Sequence, residues 1–182
     1  MSQHWPPPHF LPIGAQQRMA YRVVGHPDGE PWLLLHGGPG ASCHVGMLAP
    51  LDVSRQRAIA PDQRGCGASC PRGQTARNTV QALVSDLEAL RQLLDIPRWS
   101  VVAGSWGTVV ALAYVQRHPQ RVGRLVLRGA CAVKRRELAG LLQPSAKVKG
   151  LVGPDRRWPR APGYGVPSVL VALRRVVQSG TV

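Results

Sequence analysis

Ser105 stands in the string Val102-Ala103-Gly104-Ser105-Trp106-Gly107, where one apolar run stops at small residues and a second begins after Gly107. A serine at the junction of a strand and a helix makes a nucleophile elbow. The sharp turn forces the serine backbone into a strained conformation and lifts its hydroxyl clear of the sheet, while small neighbours let strand and helix approach. The strict pattern is G-x-S-x-G; Ala103 takes the place of its first glycine, and alanine is the next smallest side chain. A hydroxyl that adds to a carbonyl creates an oxyanion, which must be met by preorganised hydrogen-bond donors.

A source of donors precedes the serine. His36-Gly37-Gly38-Pro39-Gly40 directly follows the apolar run Trp32 to Leu35, the place from which an oxyanion hole receives one backbone N–H. Gly38 is the expected donor there, and the Trp106 N–H the expected second. Glycine suits the position because the amide must come within about 3 Å of the oxyanion with no side chain in the way. His36 reads as a structural histidine that holds the loop. Gly37, Gly40, Gly104 and Gly107 support the two motifs. A Gly-Ser-x-Gly string alone is more often an ordinary turn; its strand and helix context makes it a candidate site.

The elements that must position these residues can be read from periodicity. Strands are expected at Tyr21–Gly25, Trp32–Leu35, Arg57–Ala60, Ser100–Ala103 and Arg124–Leu127, the first two as neighbours across the turn Gly25-His26-Pro27-Asp28-Gly29. Val80, Leu83, Val84, Leu87, Leu90 and Leu94 recur at three- and four-residue steps, which predicts a helix capped by Asn78 or Thr79. A buried helix is expected over Val109–Val115, ending at His118-Pro119. Short apolar strands alternating with helices predict an α/β layer structure with a mainly parallel sheet.

The 182 residues allow about one domain, and a hydrophobic fraction of 44% suffices for a globular core. No apolar run approaches the roughly 20 residues that cross a bilayer, so no membrane partner is expected. The start of the chain carries neither a basic nor an apolar leader region, which makes a cytoplasmic location the expectation. Cys43, Cys66, Cys70 and Cys131 match no zinc spacing and read as small buried or half-buried thiols, with no metal site. The net charge of +14 is uneven: residues 1–133 carry a net +6 and residues 134–182 a net +8. In the first part the arginines are scattered, as on a solvated surface, so nucleic-acid binding is not expected from it. From Lys134 the sequence is irregular, with Val169, Leu170, Leu173, Val176 and Val177 as its one periodic stretch, and no domain is assigned to it.

Three strings in order, His36-Gly37-Gly38-Pro39-Gly40, Asp62-Gln63-Arg64-Gly65-Cys66-Gly67-Ala68-Ser69 and Gly104-Ser105-Trp106-Gly107-Thr108, resemble the proline iminopeptidase (prolyl aminopeptidase) family of α/β-hydrolases. His118-Pro119-Gln120-Arg121-Val122 and Leu125-Val126-Leu127-Arg128-Gly129 are similar to the segment after the elbow in that family, so the likeness spans roughly residues 10–130. The resemblance implies release of N-terminal proline from peptides through an acyl-enzyme on Ser105, with the Gly38 and Trp106 amides at the oxyanion and no cofactor. It makes Asp62 and Arg64 loop-fixing partners, the family's acid lying later in the chain. Ala68 stands where the family commonly has a basic residue.

The family's order of serine, acid, histidine is not completed here. After Ser105 come Glu137, Asp155 and one histidine, His118, which 13 helical residues would carry roughly 20 Å from the elbow. His4, His9, His26 and His44 precede the serine and would need another topology. Loss of the base costs serine hydrolases on the order of a million-fold in turnover, about 8 kcal/mol, so the chain by itself is expected to be nearly inactive. The family's helical cap would follow the last expected strand, whereas the composition changes near residues 130–140, as a frameshift or truncation would produce. The expectation is therefore an α/β-hydrolase core over 1–133, its N-terminal part, and an irregular basic tail over 134–182; a complementing chain would be needed for activity. Two alternatives are a non-enzymatic half-fold that binds nucleic acid or acidic surfaces through Arg156, Arg157, Arg160, Arg174 and Arg175, and another hydrolase of the fold such as an esterase.

Overall fold

The computed structural model of the protein describes residues 5–130. The tail expectations, including the stretch Val169–Val177 and Cys131, lie outside the described residues. The strands are β1 (His9–Gly14), β2 (Gln17–Gly25), β3 (Glu30–Leu35), β4 (Gln56–Pro61), β5 (Trp99–Gly104) and β6 (Val122–Arg128); the helices are α1 (Val80–Leu93) and α2 (Trp106–Arg117). They form one sheet in the order β1-β2-β4-β3-β5-β6. β1 and β2 join it antiparallel, whereas β4, β3, β5 and β6 run parallel to one another. The α/β layer structure with a mainly parallel sheet is borne out.

Two expectations about the strands are corrected. β1 was not foreseen, because His9–Gly14 contains Pro12 and Gly14 and is only partly buried, which leaves a weak alternation signal. The runs Tyr21–Gly25 and Trp32–Leu35 are not neighbours: β4 lies between them, pairing Val23 with Ile59 on one side and Leu33 with Ile59 on the other. A tight turn after β2 suggested a hairpin, but β3 gains two parallel partners, β4 and β5, by standing one place further in.

β3 shows why the interior strands read as unbroken apolar runs. Leu33 and Leu35 join the core beneath α1 and α2, together with Ile59, Val101, Leu87, Leu90 and Val110. Trp32 and Leu34 join the opposite face with Leu48, Leu51, Ala58 and Ala60. A strand buried on both faces has no solvent-facing residue to alternate with. α1 buries Leu83, Val84, Leu87 and Leu90, and its start is fixed by Thr79, whose Oγ1 accepts from the Ala82 N–H at 3.2 Å. Asn78 does other work, donating from Nδ2 to the Arg64 carbonyl.

Candidate active site

The loop after β3 and the turn after β5 meet because β3 and β5 are adjacent and parallel, Leu35 beside Ala103. Parallel neighbours end at the same edge of the sheet, which is where open α/β sheets place their sites. Ser105 occupies the turn with φ 50° and ψ −123°, and its side chain is exposed. Two bonds hold this conformation: the Ser105 N–H donates to the Arg128 carbonyl of β6 at 3.0 Å, and the Ser105 carbonyl accepts from the Thr108 N–H at 2.9 Å. The Thr108 hydroxyl donates to the same carbonyl at 2.6 Å. α2 starts at Trp106, so its unpaired first N–H groups and the positive end of its dipole face the serine.

Gly107 and Gly37 are glycines for want of space. A Cβ on Gly107 would lie 2.6 Å from the Leu35 carbonyl oxygen and 2.7 Å from that of His36; one on Gly37 would lie 3.1 Å from Ser105 Cβ and 3.7 Å from its Oγ. Gly38 is required twice over, by a φ of 124° and by the backbone nitrogens of Gly40 and Ala41 at 2.5 and 2.9 Å from a would-be Cβ. Gly40 has φ 97° with open space around it, and a methyl on Gly104 would meet nothing nearer than the Arg128 carbonyl at 4.0 Å. Ala103, in the place of the pattern's first glycine, is fully buried in the core.

His36 is buried and its ring is used up in holding the loop. Its Nε2 accepts from the Gln63 backbone N–H at 2.9 Å, which leaves Nδ1 to carry the proton and donate to the Gly37 carbonyl at 2.8 Å. Burial keeps the ring below its ordinary pKa and therefore neutral. Asp62 fixes the neighbouring loops: it accepts from the Cys43 N–H at 2.8 Å and the Ala68 N–H at 3.0 Å, and pairs with Arg22 at 3.4 Å. Arg64 makes a two-pronged bond to Asp86 on α1, at 2.5 and 2.7 Å, and reaches back to the Ile13 carbonyl of β1. Cys43 and Cys66 are buried thiols and Cys70 is half-buried; all three are free.

Ser105 opens into a cleft of about 720 Å³ lined by His36, Gly37, Gly104 and, on its apolar side, Met47, Val102 and Val126. His44 also lines the cleft, although it precedes the serine in the chain. His118 does not line the cleft: it caps the C-terminal end of α2, the opposite end of the helix from Ser105, its ring 5.1 Å from that of Tyr114. Gln63 is the residue that sequence reasoning missed. It was visible inside the second motif string, but its contacts are to residues far away in the chain.

The comparisons with known proteins agree with this geometry. The family model for the alpha/beta hydrolase fold matches residues 30–177. The chain belongs to the α/β-hydrolase fold family. Within that family it is 43% identical over 137 residues to the proline iminopeptidase of Xylella fastidiosa strain 9a5c, a match covering 75% of this chain and 44% of the relative. Among solved α/β-hydrolase structures, a proline iminopeptidase-related protein from Thermus thermophilus superposes with a TM-score of 0.61 at 28% identity, over 95% of this chain and 66% of that one. A Vigna radiata epoxide hydrolase mutant gives 0.56 at 31% identity, over 66% of this chain and 37% of that one. The resemblance to proline iminopeptidases is thus borne out, and the chain spans less than half the length of the curated relatives it matches.

Proposed function

We propose that this chain carries the nucleophile and oxyanion-binding half of a prolyl aminopeptidase, with Ser105 as the nucleophile. The observation that carries the reading is the exposed Ser105 at φ 50°, with Gly37 of the glycine loop packed against its side chain, in a chain 43% identical to a proline iminopeptidase. The Ser105 Oγ adds to the carbonyl carbon of an N-terminal proline; the C–N bond breaks, the peptide amine leaves with a proton, and water hydrolyses the ester. The amides of Gly38 and Trp106 stabilise the oxyanion, and no cofactor takes part. Against an epoxide hydrolase reading stands the elbow residue, since those enzymes carry an aspartate there and this chain has Ser105.

His36 is engaged at both ring nitrogens, His118 is remote, and His44, although it lines the cleft, makes no hydrogen bond to Ser105, so the reading assigns no general base among the described residues. The chain alone is accordingly expected to turn over substrate about a million-fold more slowly than a complete serine hydrolase. The test does not require turnover. An alkyl fluorophosphonate forms a bond from Oγ to phosphorus, fluoride leaves and the proton passes to water; intact mass and peptide mapping locate the adduct. Slow labelling at Ser105, absent from Ser105→Ala, is expected, and labelling that ignores that substitution would sink the reading. In protein purified from its own host, hydrolysis of a proline arylamide separates the aminopeptidase from an esterase, which would prefer a simple ester.

A further inference from the structure

We propose that Gln63 is a positioning residue for the oxyanion hole: it fastens the loop after β3 to the first turn of α2, so that the Gly38 and Trp106 amides stay aimed at one point. The proposal rests on the serine-hydrolase reading above.

Gln63 lies just past β4 and is buried, with 5% of its surface exposed. It bonds to both halves of the site at once. Its backbone N–H donates to His36 Nε2 at 2.9 Å, its amide Nε2 donates to the His36 carbonyl at 2.9 Å, and its Oε1 accepts from the Trp106 indole N–H at 3.1 Å. The amide can be oriented only one way, because a carbonyl only accepts and an indole N–H only donates.

These bonds reach the two donors by short paths. His36, held through Nε2, donates from Nδ1 to the Gly37 carbonyl. The Gly37–Gly38 peptide is trans, so its carbonyl and the Gly38 N–H lie in one plane and point in opposite directions. Anchoring the Gly37 oxygen therefore aims the Gly38 N–H. At the other end, the indole bond fixes the side chain of the first residue of α2, whose backbone N–H is the second donor. A donor displaced by a fraction of an ångström meets the transition state poorly even when the ground-state fold is unchanged.

The proposal is tested by the rate at which the fluorophosphonate modifies Ser105 in the full chain, in Gln63→Leu, Gln63→Glu, Trp106→Phe and the Gln63→Leu/Trp106→Phe double variant. The ¹H–¹⁵N signals of Trp106 and Gly38 are followed in the same proteins. Gln63→Leu is expected to slow labelling about tenfold and to shift the Trp106 indole signal. Gln63→Glu keeps an acceptor for the indole and is expected to keep that signal and more of the rate. Because the indole bond is one of the two side-chain bonds that Gln63→Leu already removes, the double variant should be little slower than Gln63→Leu alone, where independent effects would multiply. A Gln63→Leu rate within twofold of the parent, or multiplicative losses, would overturn the proposal. Should Gln63→Leu fail to fold, Gln63→Glu and Trp106→Phe carry the comparison. Should the parent chain itself resist the reagent, the hydrolase reading fails separately; the clamp then stands or falls on whether Gln63→Glu or Gln63→Leu moves the Gly38 and Trp106 backbone signals.

Discussion

Ser105 stores strain that its function would need and its fold does not. A non-glycine residue at such a φ and ψ costs about 1–3 kcal/mol, while glycine gives back about 0.5–1 kcal/mol through the entropy of the unfolded chain. Ser105→Gly is thus expected to stabilise the protein by about 1 kcal/mol, read as a higher urea midpoint, while abolishing labelling; a lower midpoint would show that the turn is relaxed. His36 makes a pH prediction. Burial holds its folded pKa below the ordinary 6.5, so the unfolded chain takes up the proton first as pH falls. Stability should decline as pH drops below that value, and His36→Asn should flatten this slope even if it lowers the plateau. Equal slopes in both proteins would refute the account.

Strand and helix contacts set the larger energies. Alanine in place of Gly107 would gain about 1 kcal/mol of helix propensity but drive a methyl into the carbonyls of Leu35 and His36, an overpacking cost of about 3 kcal/mol. Gly107→Ala should therefore destabilise by about 2 kcal/mol in equilibrium unfolding, whereas Gly104→Ala, with no atom nearer than 4.0 Å, should fall well short of that. Arg64 ties α1 to the loop after β4 through the buried Asp86, whose carboxyl is pushed up by burial and held back by the guanidinium. Arg64→Leu would strand that carboxylate, at about 3–5 kcal/mol; replacing both residues by leucine should cost less, which calorimetry on the single and double variants would check.

At the scale of the molecule, the described sheet ends at β6, which is paired only to β5 among the described residues. Val126 of β6 is 46% exposed on the cleft side, beside Arg128. An exposed apolar side chain there invites association, so Val126→Lys is expected to lower concentration-dependent light scattering. Residues 134–182 bring two observations into opposition. Their composition breaks from the pattern before them, as a change of reading frame would cause, yet the α/β-hydrolase match continues to residue 177. Intact mass of the protein made by its own host decides between them: a value near 19.7 kDa makes this chain the product, and a much larger one restores a longer chain.

The sequence by itself determined every strand and α-helix but β1 and singled out Ser105 as the candidate nucleophile. Apolar runs at Trp32–Leu35 and Ser100–Ala103, the helical stripe from Val80, and the small residues around Ser105 are local signals, each set by neighbours within a turn or two. The order of the strands was not local. Whether β3 pairs with β2 or with β4 depends on burying Leu33 and Leu34 on opposite faces, a gain realised only when the whole sheet forms. The same holds for Gln63. Its bonds reach residues 27 and 43 positions away, and only the tertiary structure brings His36 and Trp106 to the two ends of one amide.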